Sequence, residues 1–161
     1  MAEIIIGVMG PGDGASDRDI QIAFELGKQI ATNSWILLTG GRRQGVMHAA
    51  SKGAREAGGT TIGILPSMDV KGMSEFIDIP IMTGMGDGRN YINILSSRVI
   101  IACGLGAGTS SEISLALKTG KQVILINQDK TTIAYFHNLS PGLVNEEHHV
   151  ESVIKLVRQI I

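Results

Sequence analysis

The stretch WILLTGGRRQGVMHAA, residues 35–50, decides the fold. It opens with a short continuous apolar run, the pattern of a strand covered on both faces. It closes with Val46, Ala49 and Ala50, continued by Gly53, Ala54 and Ala57, at helical spacing. A glycine turn lies between, so the segment reads as strand, turn and helix. Arg42 and Arg43 stand just ahead of that helix. A helix N-terminus carries roughly half a positive charge and favours Asp or Glu in its first turn. Cations there make sense if an anion arrives to neutralise both charges. The plainer alternative is that one of them points into solvent, where screening makes the cost negligible.

Outward from this unit the alternation repeats. Apolar, β-branched runs fall at residues 4–9, 60–65, 77–82, 99–103 and 123–126. Residues 20–30 carry a helical stripe, Asp87 is placed to cap a helix to about Ser97, Thr109 another to about Lys118, and residues 150–161 close the chain amphipathically. These elements predict an α/β fold: one doubly wound, Rossmann-like parallel sheet with helices on both faces, a single domain over residues 1–161. Ligands are expected at the carboxyl ends of its strands. Residues 67–74, SMDVKGMS, are the one candidate mobile loop. Met68, Met73, Met82 and Met85 flank the middle of the chain and suit either a pliable pocket or, more commonly, gap-filling in the core.

Composition narrows the function. The 161 residues include 21 glycines, near twice the usual share of about 7%. A formal charge of -1 and no basic stripe give no global attraction to nucleic acid or an anionic membrane, so an anion site must be built locally. The single cysteine, Cys103, excludes an internal disulfide and suits a reducing compartment. With no basic, apolar leader and no long apolar run, the expected location is the cytoplasm.

The glycines concentrate in three strand-to-helix turns: GPGDGAS from Gly10, GGRRQG from Gly40 and GLGAGTSS from Gly104. Each is expected to present backbone N–H groups ahead of a helix N-terminus, the arrangement that holds oxyanions, and all three should open on one sheet edge. The first satisfies G-x-G-x-x-[G/A], but the second strand ends in LLTGG instead of the acid a dinucleotide site needs. The triphosphate-binding loop pattern is absent, since no lysine follows Gly108. Thr109-Ser110-Ser111-Glu112 fits a capping box, in which Glu112 reaches back to the helix start, and on residue pattern alone this is the better reading of Glu112. Cys103, ending an apolar strand, reads as a buried small residue. His48, His137, His148 and His149 show no metal spacing, and the last two, after Glu146-Glu147, read as a solvated connection. No metal held by protein ligands is expected.

Two of these stretches, GGRRQGVMH (residues 40–48) and GLGAGTSSE (residues 104–112), resemble the paired signatures GGG-x-x-G-x-M-G and PGG-x-G-T-x-x-E of the LONELY GUY family, with spacing kept throughout. The resemblance implies a phosphate held by the second motif and, for Glu112 with Arg89 upstream, hydrolysis of the base–ribose bond of a nucleoside 5'-monophosphate. Arg42 and His48 replace glycines of the first motif; Gly104 and Leu105 replace proline and glycine of the second. A side chain in place of glycine reshapes the pocket. Within the superfamily, GVMGPG, the long run from Leu26 to Pro66 and DIPIMTG look closely like the molybdenum cofactor carrier proteins. That resemblance implies a homotetramer that binds, protects and hands on the molybdenum cofactor to molybdoenzymes such as nitrate reductase, and the small-residue helix face would suit such assembly. The cofactor, a molybdopterin, carries a phosphate at one end and an oxidised molybdenum–dithiolene group at the other, so it is anionic at both. The expected binding residues are Gly10, Pro11, Gly12, Gly40, Gly41, Arg42, Arg43, Gly45, Val46, Met47, Arg89, Asn90, Gly104, Leu105, Gly106, Gly108, Thr109, Ser110 and Glu112. No catalytic residue is favoured; the alternative, a phosphoribohydrolase, rests on Arg89 and Glu112. A nucleotide-sensing module on the same fold is a third possibility.

Overall fold

A computed structural model describes residues 2–161. Seven strands form one parallel sheet: β1 (Ile5–Met9), β2 (Ile36–Thr39), β3 (Thr61–Leu65), β4 (Ile79–Met82), β5 (Val99–Cys103), β6 (Val123–Ile126) and β7 (Val144–Glu147), in the order β4-β3-β2-β1-β5-β6-β7. The chain winds outward from β1 to β4, then returns to the far side of β1 with β5 and winds outward again. Strand order therefore reverses between β1 and β5, the point where such sheets leave a crevice at their carboxyl ends.

Alternate side chains of the central strands feed two cores. Ile6, Val8, Leu37, Val99, Ile101, Ile124 and Ile126 meet α1 (Asp17–Thr32), α2 (Gly45–Glu56) and α6 (Val150–Ile160) on one face. Met9, Leu38, Ile64, Ile100, Ala102, Val123 and Leu125 meet α3 (Arg89–Ser96), α4 (Ala107–Lys118) and α5 (Lys130–Leu139) on the other. This period of two, buried on both sides, is why the strands read as continuous apolar runs.

The small-residue face of α2 is consumed inside the chain. A Cβ on Gly27 of α1 would overlap the Ala50 carbonyl, and one on Gly53 of α2 would overlap the Phe24 carbonyl. The two helices cross in backbone contact, with Ala49, Ala50, Ser51 and Ala54 buried. The face expected to serve assembly is therefore unavailable for it.

The two sheet edges differ from expectation. β4 is not covered on both faces: Ile79, Ile81 and Met82 are 45%, 42% and 47% exposed, because β3 reaches β4 through a loop with no helix. Around it Met68 and Met85 are exposed too, so the methionines fill no core gap here. The solvated connection expected at His148-His149 is present, exposed between β7 and α6; Glu146-Glu147 just before it end β7, a polar edge strand in which only Val144 is buried. The loop at residues 67–74 is tied to the turn after β2: Met73 bridges Arg42, the Ser74 amide donates to the Gly41 carbonyl at 2.9 Å and the Arg43 amide to the Gly72 carbonyl at 2.9 Å. No helix among the described residues is long and apolar enough to cross a membrane.

Candidate functional site

The turns after β1, β2 and β5 line one cleft of about 220 Å³ at the switch point. Gly10, Pro11, Gly12 and Asp13 form one wall; Gly40, Arg42 and Met47 the second; Gly106, Ala107, Gly108, Thr109 and Glu112 the third; Asp87, Arg89 and Asn90 close the remaining side.

The three helix N-termini behind these turns are not equivalent. Ser16 and Asp19 form a capping box on α1: the Asp19 amide donates to Ser16 Oγ at 3.1 Å and the Ser16 amide to Asp19 Oδ2 at 2.9 Å. That end is satisfied and acidic. The Val46 amide at the start of α2 donates to the Pro11 carbonyl at 3.0 Å, so the first turn plugs the second helix. At α4 the N-cap is Gly106, which offers no side-chain acceptor, and the Ser110 amide bonds the Gly106 carbonyl at 2.8 Å. The preceding amides, of Ala107, Gly108 and Thr109, sit at the cleft wall as the orphan donors of an uncapped helix. Of the three helix ends, only that of α4 opens its amides on the cleft with neither a side-chain cap nor a carbonyl plug.

This start of α4 overturns the capping box at Thr109–Glu112. The helix begins two residues before Thr109, so Thr109 and Glu112 both lie within it and face inward, 2% and 7% exposed. Thr109 Oγ1 is buried with no hydrogen-bond partner. Glu112 Oε1 instead accepts from Asn93 Nδ2 at 2.9 Å. Asp87 likewise caps nothing: it sits in a 3-10 turn, Gly86–Gly88, and α3 begins at Arg89 with no side-chain cap.

Arg89 is the buried cation of the site, 6% exposed, with its Nε enclosed and unpartnered. Burial lowers its pKa from the ordinary value; Glu112 opposes that shift, Arg42 adds to it and Asp87 opposes it. Arginine nonetheless stays protonated, so a guanidinium without a partner at ion-pair distance lines the cleft. Burial pushes the Glu112 carboxyl up to about 7, against the pull of the Asn93 hydrogen bond and of Arg89. The guanidinium fits because residue 40 is glycine: a Cβ there would overlap Arg89 Nη1 and Met47 Sδ.

The expected residues thus divide. Gly10, Pro11, Gly12, Gly40, Arg42, Met47, Arg89, Asn90, Gly106, Gly108, Thr109 and Glu112 are brought together around the cleft. Arg43 turns outward and pairs with Glu75 at 3.0 Å. Gly41 packs on Gly63, Gly45 under the Pro11 and Gly12 carbonyls, Val46 against Gly10 and Gly104 against Asp19, so these shape the turns from behind. Leu105 is exposed and Ser110 lies off the lining. The lining residues missed were Val8, Met9, Asp13, Ala107 and, as a lining group, Asp87; each sits at the end of a strand, in a glycine turn or beside an expected residue, and that position was the available signal. Cys103 is buried, its thiol pushed up to about 12 by burial and by Asp19.

A parallel sheet with an amide notch and guanidinium groups at its switch point defines a Rossmann-like ligand-binding protein. Within that class the chain belongs to the SLOG cluster4 family, whose model matches residues 3–154. It is 51% identical to the molybdenum cofactor binding protein from the phototrophic bacterium Rippkaea orientalis, over 99% of this chain and 98% of that one, with a TM-score of 0.98. It is 50% identical to the molybdenum cofactor carrier protein of Chlamydomonas reinhardtii, again over 99% and 98%, with a TM-score of 0.95. A cytokinin riboside 5'-monophosphate phosphoribohydrolase of Mycobacterium tuberculosis is 39% identical over only 49 residues, 30% of this chain and 26% of that protein.

Proposed function

We propose that this chain binds the molybdenum cofactor, protects it and carries it to molybdoenzymes. One observation carries the reading: the guanidinium of Arg89, which has no ion-pair partner, and the open amides of α4 line one cleft, with Arg42 at its edge. Donors left without a partner are costly, about 1–3 kcal/mol each where buried, and an oxyanion in the cleft supplies acceptors for the guanidinium and the amides together. The cofactor fits these groups because it is anionic at both ends. The amides at Ala107, Gly108 and Thr109 would take one end and Arg42 with Arg89 the other. Similarity at 50–51% identity, over nearly the whole chain, to two proteins that bind or carry this cofactor supports the same ligand here. The molybdenum, held by the pterin dithiolene, travels as cargo.

Assembly into a homotetramer, delivery to an enzyme such as nitrate reductase and residence in the cytoplasm belong to the same proposal. The exposed apolar edge at Ile79, Ile81 and Met82 supports self-association better than α2 does.

The test is retention. Protein mixed with cofactor should hold molybdenum and pterin through gel filtration, and Arg42→Ala with Thr109→Val should lose most of both. Equal retention by that variant would refute the assignment. A second reading, hydrolysis of a nucleoside 5'-monophosphate, is favoured by one observation, Arg89 and Glu112 lining the same cleft. Incubation with AMP and chromatography for free base decides it, and no release disposes of it.

A further inference from the structure

The amide notch and the two guanidinium groups account for an anionic ligand, but not for the acid between them. Glu112 is 7% exposed, and only its Oε1 has a hydrogen-bond donor, Asn93. Among the described residues no cation lies within ion-pairing distance of its carboxylate. Its Oε2 is neither hydrogen-bonded nor enclosed, and the side chain lines the cleft. A site made only for oxyanions would not keep a carboxylate there, because an incoming anion adds repulsion to the desolvation already incurred. Asp13 and Asp87 add two more carboxylates at the same cleft. Acceptors placed so call for N–H donors on the ligand.

Resting on the carrier reading above, we infer that Glu112 is a specificity-determining residue whose free Oε2 accepts a hydrogen bond from the N–H donors of the pterin ring. The aminopyrimidine edge of a pterin presents an exocyclic amine beside a ring N–H, a planar donor pair. With Oε1 held by Asn93, Glu112 meets that edge with one oxygen while the α4 amides and Arg42 hold the anionic groups. The site therefore selects a molecule that combines an oxyanion with an N–H-bearing heterocycle, and takes a phosphate alone poorly. The accepting form is the carboxylate. Burial raises the Glu112 carboxyl to about 7, so it is largely neutral under mildly acidic conditions and its own proton then competes with the ligand's. The other charged groups lining the cleft are Arg42 and Arg89, which favour the carboxylate, and Asp13 and Asp87, which disfavour it.

Calorimetry with neopterin monophosphate and with glycerol phosphate tests this. Both probes carry the same phosphomonoester, so the ratio of their affinities removes its titration. In the wild-type protein the preference for the pterin probe should rise roughly tenfold between about pH 5.5 and about pH 7.5, as one charge-assisted hydrogen bond is gained. In Glu112→Gln the preference should shrink and lose that pH dependence. A flat ratio in the wild type, or the same slope in both proteins, overturns the inference. If the variant does not fold, the wild-type titration alone decides. Retention of molybdenum cofactor by the same wild-type preparation separates failure of this inference from failure of the carrier reading.

Discussion

Gly40 leaves the space that Arg89 fills: a Cβ at residue 40, just past the end of β2, would overlap the guanidinium carried by α3 and also Met47 Sδ. A glycine in one motif thus exists for an arginine 49 residues later in the chain. Gly40→Ala should push Arg89 out of position, since the new methyl would overlap Nη1. Overpacking of this kind costs about 1–3 kcal/mol. The expected outcome is a modest fall in unfolding midpoint together with a loss of cofactor retention of roughly tenfold or more, because a guanidinium misplaced by an ångström no longer meets its anion. Unchanged retention would show that Arg89 does not grip the ligand.

Arg42 and Arg43 were equal in the sequence, and the structure separates them. Arg42 lines the cleft, while Arg43 reaches Glu75 on the surface, both partners at least half exposed. An exposed pair is worth about 0–1 kcal/mol. Arg42→Ala should therefore weaken binding of a phosphomonoester in a salt-dependent way, and Arg43→Ala should leave binding and unfolding midpoint within experimental error. Comparable losses in the two variants would mean that Arg43 swings into the cleft.

The sheet and the clustering of its glycine turns were legible because both follow from local rules: two-sided burial gives continuous apolar runs, and tight turns need glycine. β7 was not legible, since an edge strand with a single buried side chain, Val144, carries no run to read. The site was legible down to its residue types, and less so in its roles. Thr109 looked like a cap because Thr-Ser-Ser-Glu matches a capping box, yet α4 starts at Ala107 behind a glycine, and the box that does form is Ser16 with Asp19 on α1. Helix starts shift by one or two residues on tertiary demands, and here two residues separate a cap from a cleft wall. Asp13, and Asp87 in its place on the cleft wall, were not legible because an acid beside an expected anion site has no local pattern.

The crossing of α1 on α2 makes a prediction confined to stability. Gly27 and Gly53 each face a backbone carbonyl of the other helix, which cannot move aside as a flexible side chain can. Gly27→Ala should gain up to about 1 kcal/mol of helix propensity and lose more than that to the clash, for a net destabilisation of about 1–3 kcal/mol. Chemical denaturation measures it. A variant as stable as the wild type would mean that the helices can separate at little cost.

Glu112 also ties stability to pH. Its carboxyl titrates at about 7 in the folded protein against 4.5 for the ordinary side chain, and burial is the main cause. A raised folded value means that the native state binds the proton more tightly than the unfolded one. The protein should therefore be most stable, as far as this group is concerned, below the unfolded value, and should lose that stability as pH rises through the window from 4.5 to about 7. A shift of that size corresponds to about 3–4 kcal/mol at most, since each unit is worth about 1.4. Glu112→Gln keeps the side-chain volume, can still hydrogen-bond Asn93 and carries no proton to lose. Its unfolding free energy should be flatter across that window, and it should exceed the wild type's above neutrality. Parallel profiles for the two proteins would mean that Glu112 is solvated well enough to ionise freely, and the buried carboxylate with a single hydrogen-bond donor described for the cleft wall would then be wrong.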